Sequence, residues 1–434
     1  MKFLIVLVIV LVIVALAQLM KVYELSSKLR NKDEADVTPG ETKFNAGMLL
    51  VFYITLMISS TWMFFHYGPR PGLGVSASEH GNDIDFLYDA NWIILLIVFY
   101  LTQTLLFVFA IKYQKKKGRK AVFFAHSTKL ELVWTIIPAV TLAGIIIGGL
   151  LVWNKITTPK ENSTVIEIYA QQFGWNARYA GEDNTLGNSD FKVIETNNPL
   201  GVVTSGLIDT KEELWKEEIE KIKKEIEENG DLTPDDKLAE MKEKVERLER
   251  QLIRLAPLRR AQTPETDKAA NDDVIVKELY LVKGQDYEFK FRSRDVIHSA
   301  LFPHFRAQMN CVPGMETRFS FKPTISTAEM RKMPDVIAQY EKTNEQRVLD
   351  GKEEVEFNYV LLCNKICGSS HYNMQMNIIV VDTQEEFDVW YAEQKKSKSF
   401  PVLVGLEEPK SEENTTEEVI VETVVDSTAV AIVQ

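Results

Sequence analysis

Between Cys363 and Met374 the chain gathers four metal-binding side chains in twelve residues: Cys363, Cys367, His371 and Met374. Two thiolates, an imidazole and a thioether are soft or borderline donors, and copper readily takes the Cys, His and Met types together. Zinc is the competing ion. Structural zinc sites call for a second pair of Cys or His, and neither the third cysteine, Cys311, nor the remaining histidines form one. A mononuclear blue-copper site needs only one thiolate. Two thiolates four residues apart suit a pair of coppers bridged by both sulfurs, with one imidazole capping each metal. The second imidazole must come from elsewhere, and His298 in Asp295-Val-Ile-His298-Ser is the candidate. A shared copper pair spreads one unpaired electron over two metals, which favours electron transfer over substrate chemistry.

The elements that must hold these donors read as β-structure. Phe357 to Leu362 and Met376 to Val381 flank the loop as apolar strands, and Val165 to Tyr169, Phe191 to Glu195, Val274 to Leu281, Tyr287 to Arg292 and Thr317 to Phe321 share their β-branched and aromatic character. Short strands punctuated by Gly, Pro and Asn predict a Greek-key β-sandwich or barrel. Residues 211–255 interrupt it with a Glu/Lys-rich stretch whose apolar positions recur at three- and four-residue steps, predicting an antiparallel helical hairpin with Thr233 as N-cap and Pro234 at N1. Its narrow seam either closes on itself or docks a partner. Ser326 to Glu354 is a second, partly helical insertion, and Glu385 to Lys396 a surface helix. The acidic, Thr/Val-rich stretch 398–434 is expected to be a disordered tail.

Before this region lie four apolar runs, Phe3 to Met20, Met48 to Phe65, Trp92 to Ile111 and Val133 to Val152, each about the ~20 residues that a membrane-crossing helix needs. Lysines and arginines crowd the first and third connecting loops, and the second carries only Arg70 among several acids. The positive-inside rule then puts loops one and three in the cytoplasm, and the N-terminus and large C-terminal domain on the outer face. Cleavage after Ala15-Leu16-Ala17 would reverse that pattern, so the first run is expected to be retained. The net charge of −12 argues against a nucleic-acid partner. The expected architecture is membrane α plus β: extra helices and loops in 1–90, a helix pair in 91–155, the metal domain in 156–210 and 256–397, and the hairpin between its two parts.

The metal loop resembles the copper A loop of subunit II of the haem-copper cytochrome c oxidases, Cys-x-Glu-x-Cys-x-x-x-His-x-x-Met with a histidine far upstream. Leu130-Glu131-Leu-Val-Trp134-Thr135-Ile-Ile-Pro138 resembles the segment opening that family's second conserved helix, and Gln171-Gln172-Phe173-Gly174-Trp175 its aromatic stretch. The resemblance implies a four-helix anchor and a cupredoxin-like Greek-key domain. It also implies copper A ligands at His298, Cys363, Cys367, His371 and Met374, with the Lys365 carbonyl as backbone ligand. Electrons would come from a c-type cytochrome, or a cytochrome-bearing respiratory complex, through Phe173 or Trp175. They would pass to haem a in subunit I, where oxygen is reduced and protons are pumped, with subunit III and membrane lipid as further neighbours. The implied location is a bacterial inner membrane, with the copper domain in the periplasm. One departure stands out. Lys365 replaces a glutamate that in the family also ligates a magnesium shared with subunit I, and an ammonium cannot ligate a cation.

The rivals are a quinol oxidase subunit II, which lacks the copper ligands, a nitrous oxide reductase copper domain, which needs an additional propeller, and a membrane copper carrier or assembly protein. Glu131 and His126 read equally as an interfacial pair or as the mouth of a proton path. Asp295 reads equally as a surface acid or as part of an acidic dock for a basic cytochrome. Cys311 is expected to be a small buried hydrophobe and His304 a non-ligand.

Overall fold

The computed structural model describes residues 2–29, 38–68, 74–116, 118–120, 122–123, 125–229 and 233–408, so most of the expected tail lies outside the described residues. The chain divides into two units, residues 1–72 with 88–145, and residues 73–87 with 146–434.

The apolar runs form α1 (Lys2–Leu29), α2 (Pro39–Tyr67), α3 (Gly81–Lys112) and α4 (Thr128–Thr157). Among the described residues three of these helices, α2, α3 and α4, are long and apolar enough to cross a membrane. The start of α2 is set by chemistry at its cap. The Thr38 hydroxyl accepts from Glu41 N–H at 3.3 Å, the Glu41 carboxylate accepts from Thr38 N–H at 2.8 Å, and Pro39 opens the helix. Hydroxyl groups then join α2 to α3, Tyr53 to Thr104 at 2.9 Å and Thr61 to Tyr100 at 2.6 Å. Such bonds hold apolar helices together where water cannot compete.

The second unit is a sandwich of two five-stranded sheets. One sheet holds β1 (Thr164–Gln171), β2 (Gly174–Tyr179), β3 (Val274–Val276), β5 (Tyr287–Ser293) and β8 (Thr317–Phe321) in the order β3-β2-β1-β5-β8. The other holds β4 (Leu279–Val282), β6 (His298–Phe302), β7 (Ala307–Cys311), β9 (Tyr359–Cys363) and β10 (Gln375–Val381) in the order β4-β10-β9-β6-β7. Alternation in β5 turns Tyr287, Phe289 and Phe291 inward. Phe289 stacks on Phe321 at 4.7 Å between ring centroids and meets Phe302 of the opposite sheet at 5.4 Å. This aromatic layer is the common floor of both sheets.

Three segments depart from the expected pattern. Phe191–Val193 is a 3₁₀ turn rather than a strand, because the Asp190 carboxylate accepts from Lys192 N–H at 2.9 Å and caps it. Val274 to Leu281 is not one strand but β3 and β4, broken at Lys277-Glu278 and shared between the sheets. Strands β2, β6 and β7 lack the β-branched run that marks the others, and the sequence reading omits them.

The hairpin is α5 (Ser205–Asn229) and α6 (Asp235–Arg260), wider than 211–255. Pro234 immediately precedes α6, and the Thr233 hydroxyl donates back to the Asn229 carbonyl at 2.8 Å instead of capping. Ile219, Ile222, Val245 and Leu248 close the seam on itself, and its base packs with Val202, Ile275 and Phe400. A short helix, α7 (Pro264–Asn271), leads back to β3. The second insertion forms α8 (Thr327–Arg331) and α9 (Pro334–Leu349). The surface helix is α10 (Gln384–Lys398), with Trp390 stacked on Tyr280 at 4.1 Å. Beyond it α11 (Phe400–Leu403) is ordered and Phe400 is wholly buried, so the first residues of the expected tail belong to the core.

A buried ion cluster crosses the first sheet. Arg178 donates to Glu167 at 2.6 Å and to Asp273 at 2.9 Å, and Arg292 also contacts Glu167. Burial pushes Glu167 upward, but the two guanidiniums outweigh it and hold the carboxyl below its usual range. For Asp273 burial wins over Arg178 and raises the carboxyl to about 7. Replacing Arg178 by Leu strands the buried Asp273 carboxyl, leaves Glu167 with Arg292 alone, and should cost about 3–5 kcal/mol of stability. The urea unfolding midpoint of the full-length chain reports it, and an unchanged midpoint would show the cluster to be dispensable.

Candidate metal centre

Strand register builds the site. Ala300 of β6 pairs with Cys363 of β9, and His298 pairs with Cys311 of β7. His298, two residues from Ala300, therefore faces the same side as Cys363. The loop after Cys363 is closed by Cys363 N–H donating to the Met374 carbonyl at 3.1 Å, and by Asn364 N–H donating to Ser299 at 2.9 Å. A 3₁₀ turn at His371–Asn373 returns the chain to β10.

The donor atoms converge. The Cys363 and Cys367 sulfurs lie 3.9 Å apart. His298 Nδ1 is 3.8 Å from the first, and His371 Nδ1 is 3.6 Å from the second. Met374 Sδ stands 3.8 Å from Cys367 Sγ, and the Lys365 carbonyl 3.2 Å from Cys363 Sγ. His298, Cys363 and Cys367 place their ligand atoms within 4.8 Å of one another, close enough to share a metal ion. The structure thus brings together every side chain of the predicted donor set. The Lys365 side chain is exposed, with only its carbonyl turned inward.

Asp295 has a role that neither sequence reading assigned to it. Its carboxylate accepts from His298 Nε2 at 2.9 Å and from the backbone N–H groups of Gln172 and Val296, each at 2.7 Å. Burial acts to raise this carboxyl, and the three donors bring it below its usual value. With the Nε2 proton held by Asp295, the Nδ1 lone pair is left facing the sulfurs. The spacing Asp-x-x-His was the visible signal. Trp175 completes the wall: it is buried, meets His298 edge-on at 6.2 Å between centroids, and donates its indole N–H to the Met374 carbonyl at 3.4 Å.

Phe173 is different, being 39% exposed at the turn between β1 and β2. Its ring packs on Gly368, whose φ is +145° and where a Cβ would lie 2.7 Å from Phe173 Cζ. The backbone there favours glycine, and any side chain would push the Phe173 ring aside. Gln172 adds a side-chain bond to the Cys367 carbonyl. Of the two predicted aromatics, Phe173 is the ring at the surface and Trp175 the ring inside.

Other candidates lie outside the donor set. Cys311 is buried and its thiol is pushed up to about 12 by that burial. His304 packs against Phe357 and Tyr359, and burial together with the Arg306 charge lowers it to about 4. His126 and Glu131, in the first unit, approach to 4.0 Å.

Residues 61–150 match the family model of the transmembrane domain of cytochrome C oxidase subunit II. The alternative cytochrome c oxidase subunit 2 of Bradyrhizobium diazoefficiens is 25% identical over 286 residues, covering 65% of this chain and 70% of its own length. Both likenesses are to subunit II of cytochrome c oxidase. Cytochrome c oxidase subunit 2 of Thermostichus vulcanus is 21% identical over 359 residues, covering 81% of this chain and 86% of its own. The solved periplasmic domain of cytochrome oxidase subunit II from Bradyrhizobium japonicum aligns at 13% identity and a TM-score of 0.26, over 56% of this chain and 99% of that one. That superposition is too loose to argue from. The donor set itself fits copper by its softness: two thiols, two imidazoles and a thioether.

Two outcomes follow from the geometry. Asp295→Ala frees His298 to turn and should weaken copper binding about 10–100-fold, measured by competition with a chelator, whereas unchanged affinity would deny Asp295 its orienting role. Burial and the neighbouring Cys363 push the Cys367 thiol up to about 11, so the metal-free site holds that proton at neutral pH. Copper uptake must release it, and apparent affinity should climb at least about tenfold per pH unit below that value. A pH-independent affinity would contradict this.

Proposed function

We propose that the chain is the electron-accepting subunit of a membrane-bound cytochrome c oxidase. In this reading His298, Cys363, Cys367, His371 and Met374, with the Lys365 carbonyl, hold the two coppers of a copper A centre. The bound pair supplies a one-electron store between a c-type cytochrome and haem a of subunit I. The observation that carries the reading is the pair of sulfurs 3.9 Å apart, each with its own imidazole nitrogen within 4 Å. A bridged pair uses both sulfurs and one imidazole for each metal, whereas a single blue copper would leave the second thiolate without a role.

The chain's own residues define the rest. Trp175 and Met374 exclude water, Asp295 fixes the His298 tautomer, and Gly368 lets Phe173 lie against the ligand loop as the surface contact for a donor. A rigid, dry shell favours electron transfer because little rearranges when the charge changes. The exposed Lys365 ammonium offers nothing to a magnesium ion, and the reading includes none at that position. The anchor is read as four helices, with α1 as the first and the copper domain on the periplasmic side. Reduction of oxygen and pumping of protons belong to the partner subunits, and Glu131 with His126 is assigned to their inner mouth.

Metal analysis of the purified complex tests this reading. The parent chain should carry two coppers at this site and Cys367→Ser one or none, while Met374→Leu keeps both at a shifted reduction potential. Phe173→Ala should slow electron uptake from a reduced cytochrome with copper content unchanged. A single copper, or zinc, in the parent would overturn the assignment.

A further inference from the structure

The loop joining α3 to α4 carries a charge pattern that the metal centre does not use. Lys112, Lys115, Lys116, Arg119, Lys120 and Lys129 are all exposed. No Asp or Glu occurs anywhere from Ala90 to Leu130, and among the described residues none of these cations has an ion pair within the chain. The loop is also shaped. Arg119 Nη1 donates to the Lys112 carbonyl at 2.8 Å and Gln114 Nε2 to the Ile111 carbonyl at 2.9 Å, folding the cations back over the last turn of α3. Between them and α4, Val122 is 87% and Phe123 92% exposed, Phe123 being the most exposed large apolar side chain among the described residues.

We propose that this loop is a binding surface for anionic phospholipid headgroups. Lys115, Lys116, Arg119 and Lys120 meet the phosphates, and Val122 and Phe123 enter the acyl boundary beneath them. Both flanking helices qualify as membrane spans, so the loop lies at a bilayer surface. Orienting the spans needs positive charge on that side. It needs neither the back-folded Arg119 nor two bare apolar side chains beside the cations. Basic clusters next to a span attract anionic lipid, each cation contributing about a fivefold preference at the surface, and that attraction fades as salt shortens the screening length.

The full-length chain in phosphatidylcholine bilayers, doped with spin-labelled phosphatidylglycerol or spin-labelled phosphatidylcholine, tests the proposal. The parent should immobilise the phosphatidylglycerol label in preference, and added salt should erode that preference. Combined Lys115→Gln, Lys116→Gln, Arg119→Gln and Lys120→Gln should abolish it. Equal immobilisation of both labels by the parent, or full selectivity in the four-site variant, would overturn the proposal. Phe123→Trp keeps every cation and provides an independent reading: its added emission should be quenched more by brominated phosphatidylglycerol than by brominated phosphatidylcholine. Equal quenching would also overturn it.

Discussion

Everything at the metal centre depends on one register, Ala300 of β6 against Cys363 of β9. It puts His298 and Cys363 on the same face of one sheet although they lie far apart in sequence. A slip of one residue would send the imidazole to the opposite face, and no rearrangement of the ligand loop could recover it. The aromatic layer of Phe289, Phe302 and Phe321 makes such a slip costly, because each ring is buried and the two sheets meet through them. The centre is therefore as rigid as the core beneath it. Loop chemistry then adds only local adjustments: Asp295 turning one imidazole, Gly368 admitting one ring, and Trp175 closing the inner wall.

The candidate donor set was legible because ligand chemistry is written in residue types. Cys363, Cys367, His371 and Met374 sit on one loop, and His298 was the histidine left at the end of a strand pair. The strands were legible where alternation was clean, as in β5 and β10. They were hidden where polar residues occupy inward or paired positions. In β2 the buried Arg178 belongs to an ion cluster, and its charge masks the pattern. In β6 and β7, His298 lines the candidate site and Cys311 is buried opposite it in the register, and neither strand has a β-branched residue. The two readings of Asp295 faced outward, and its principal partner is His298, a member of the candidate donor set. Long-range hydrogen bonding of that kind has no periodicity to reveal it.

The segment between α2 and α3 was also invisible in the sequence. Residues 74–81 run into the sandwich, where Ala77 N–H donates to His304, the Ala77 carbonyl accepts from Thr324, and the Ser78 hydroxyl donates to Phe305 at 2.7 Å. Ala77, Ser78 and His80 are buried there. A Ser-Ala-Ser stretch carries no hydrophobic signal, so only the backbone hydrogen bonds expose its place in the second unit. The hairpin shows the opposite case. Its heptad-like seam was plain, and self-closure through Ile219, Ile222, Val245 and Leu248 accounts for it without an outside partner.

The central claim is that two sulfurs and two imidazoles share a pair of coppers. Electron paramagnetic resonance of the copper-loaded, half-reduced full-length chain tests it most directly. The account predicts hyperfine structure from one unpaired electron divided equally between two copper nuclei, lost in Cys367→Ser. Hyperfine structure from a single copper nucleus would contradict it.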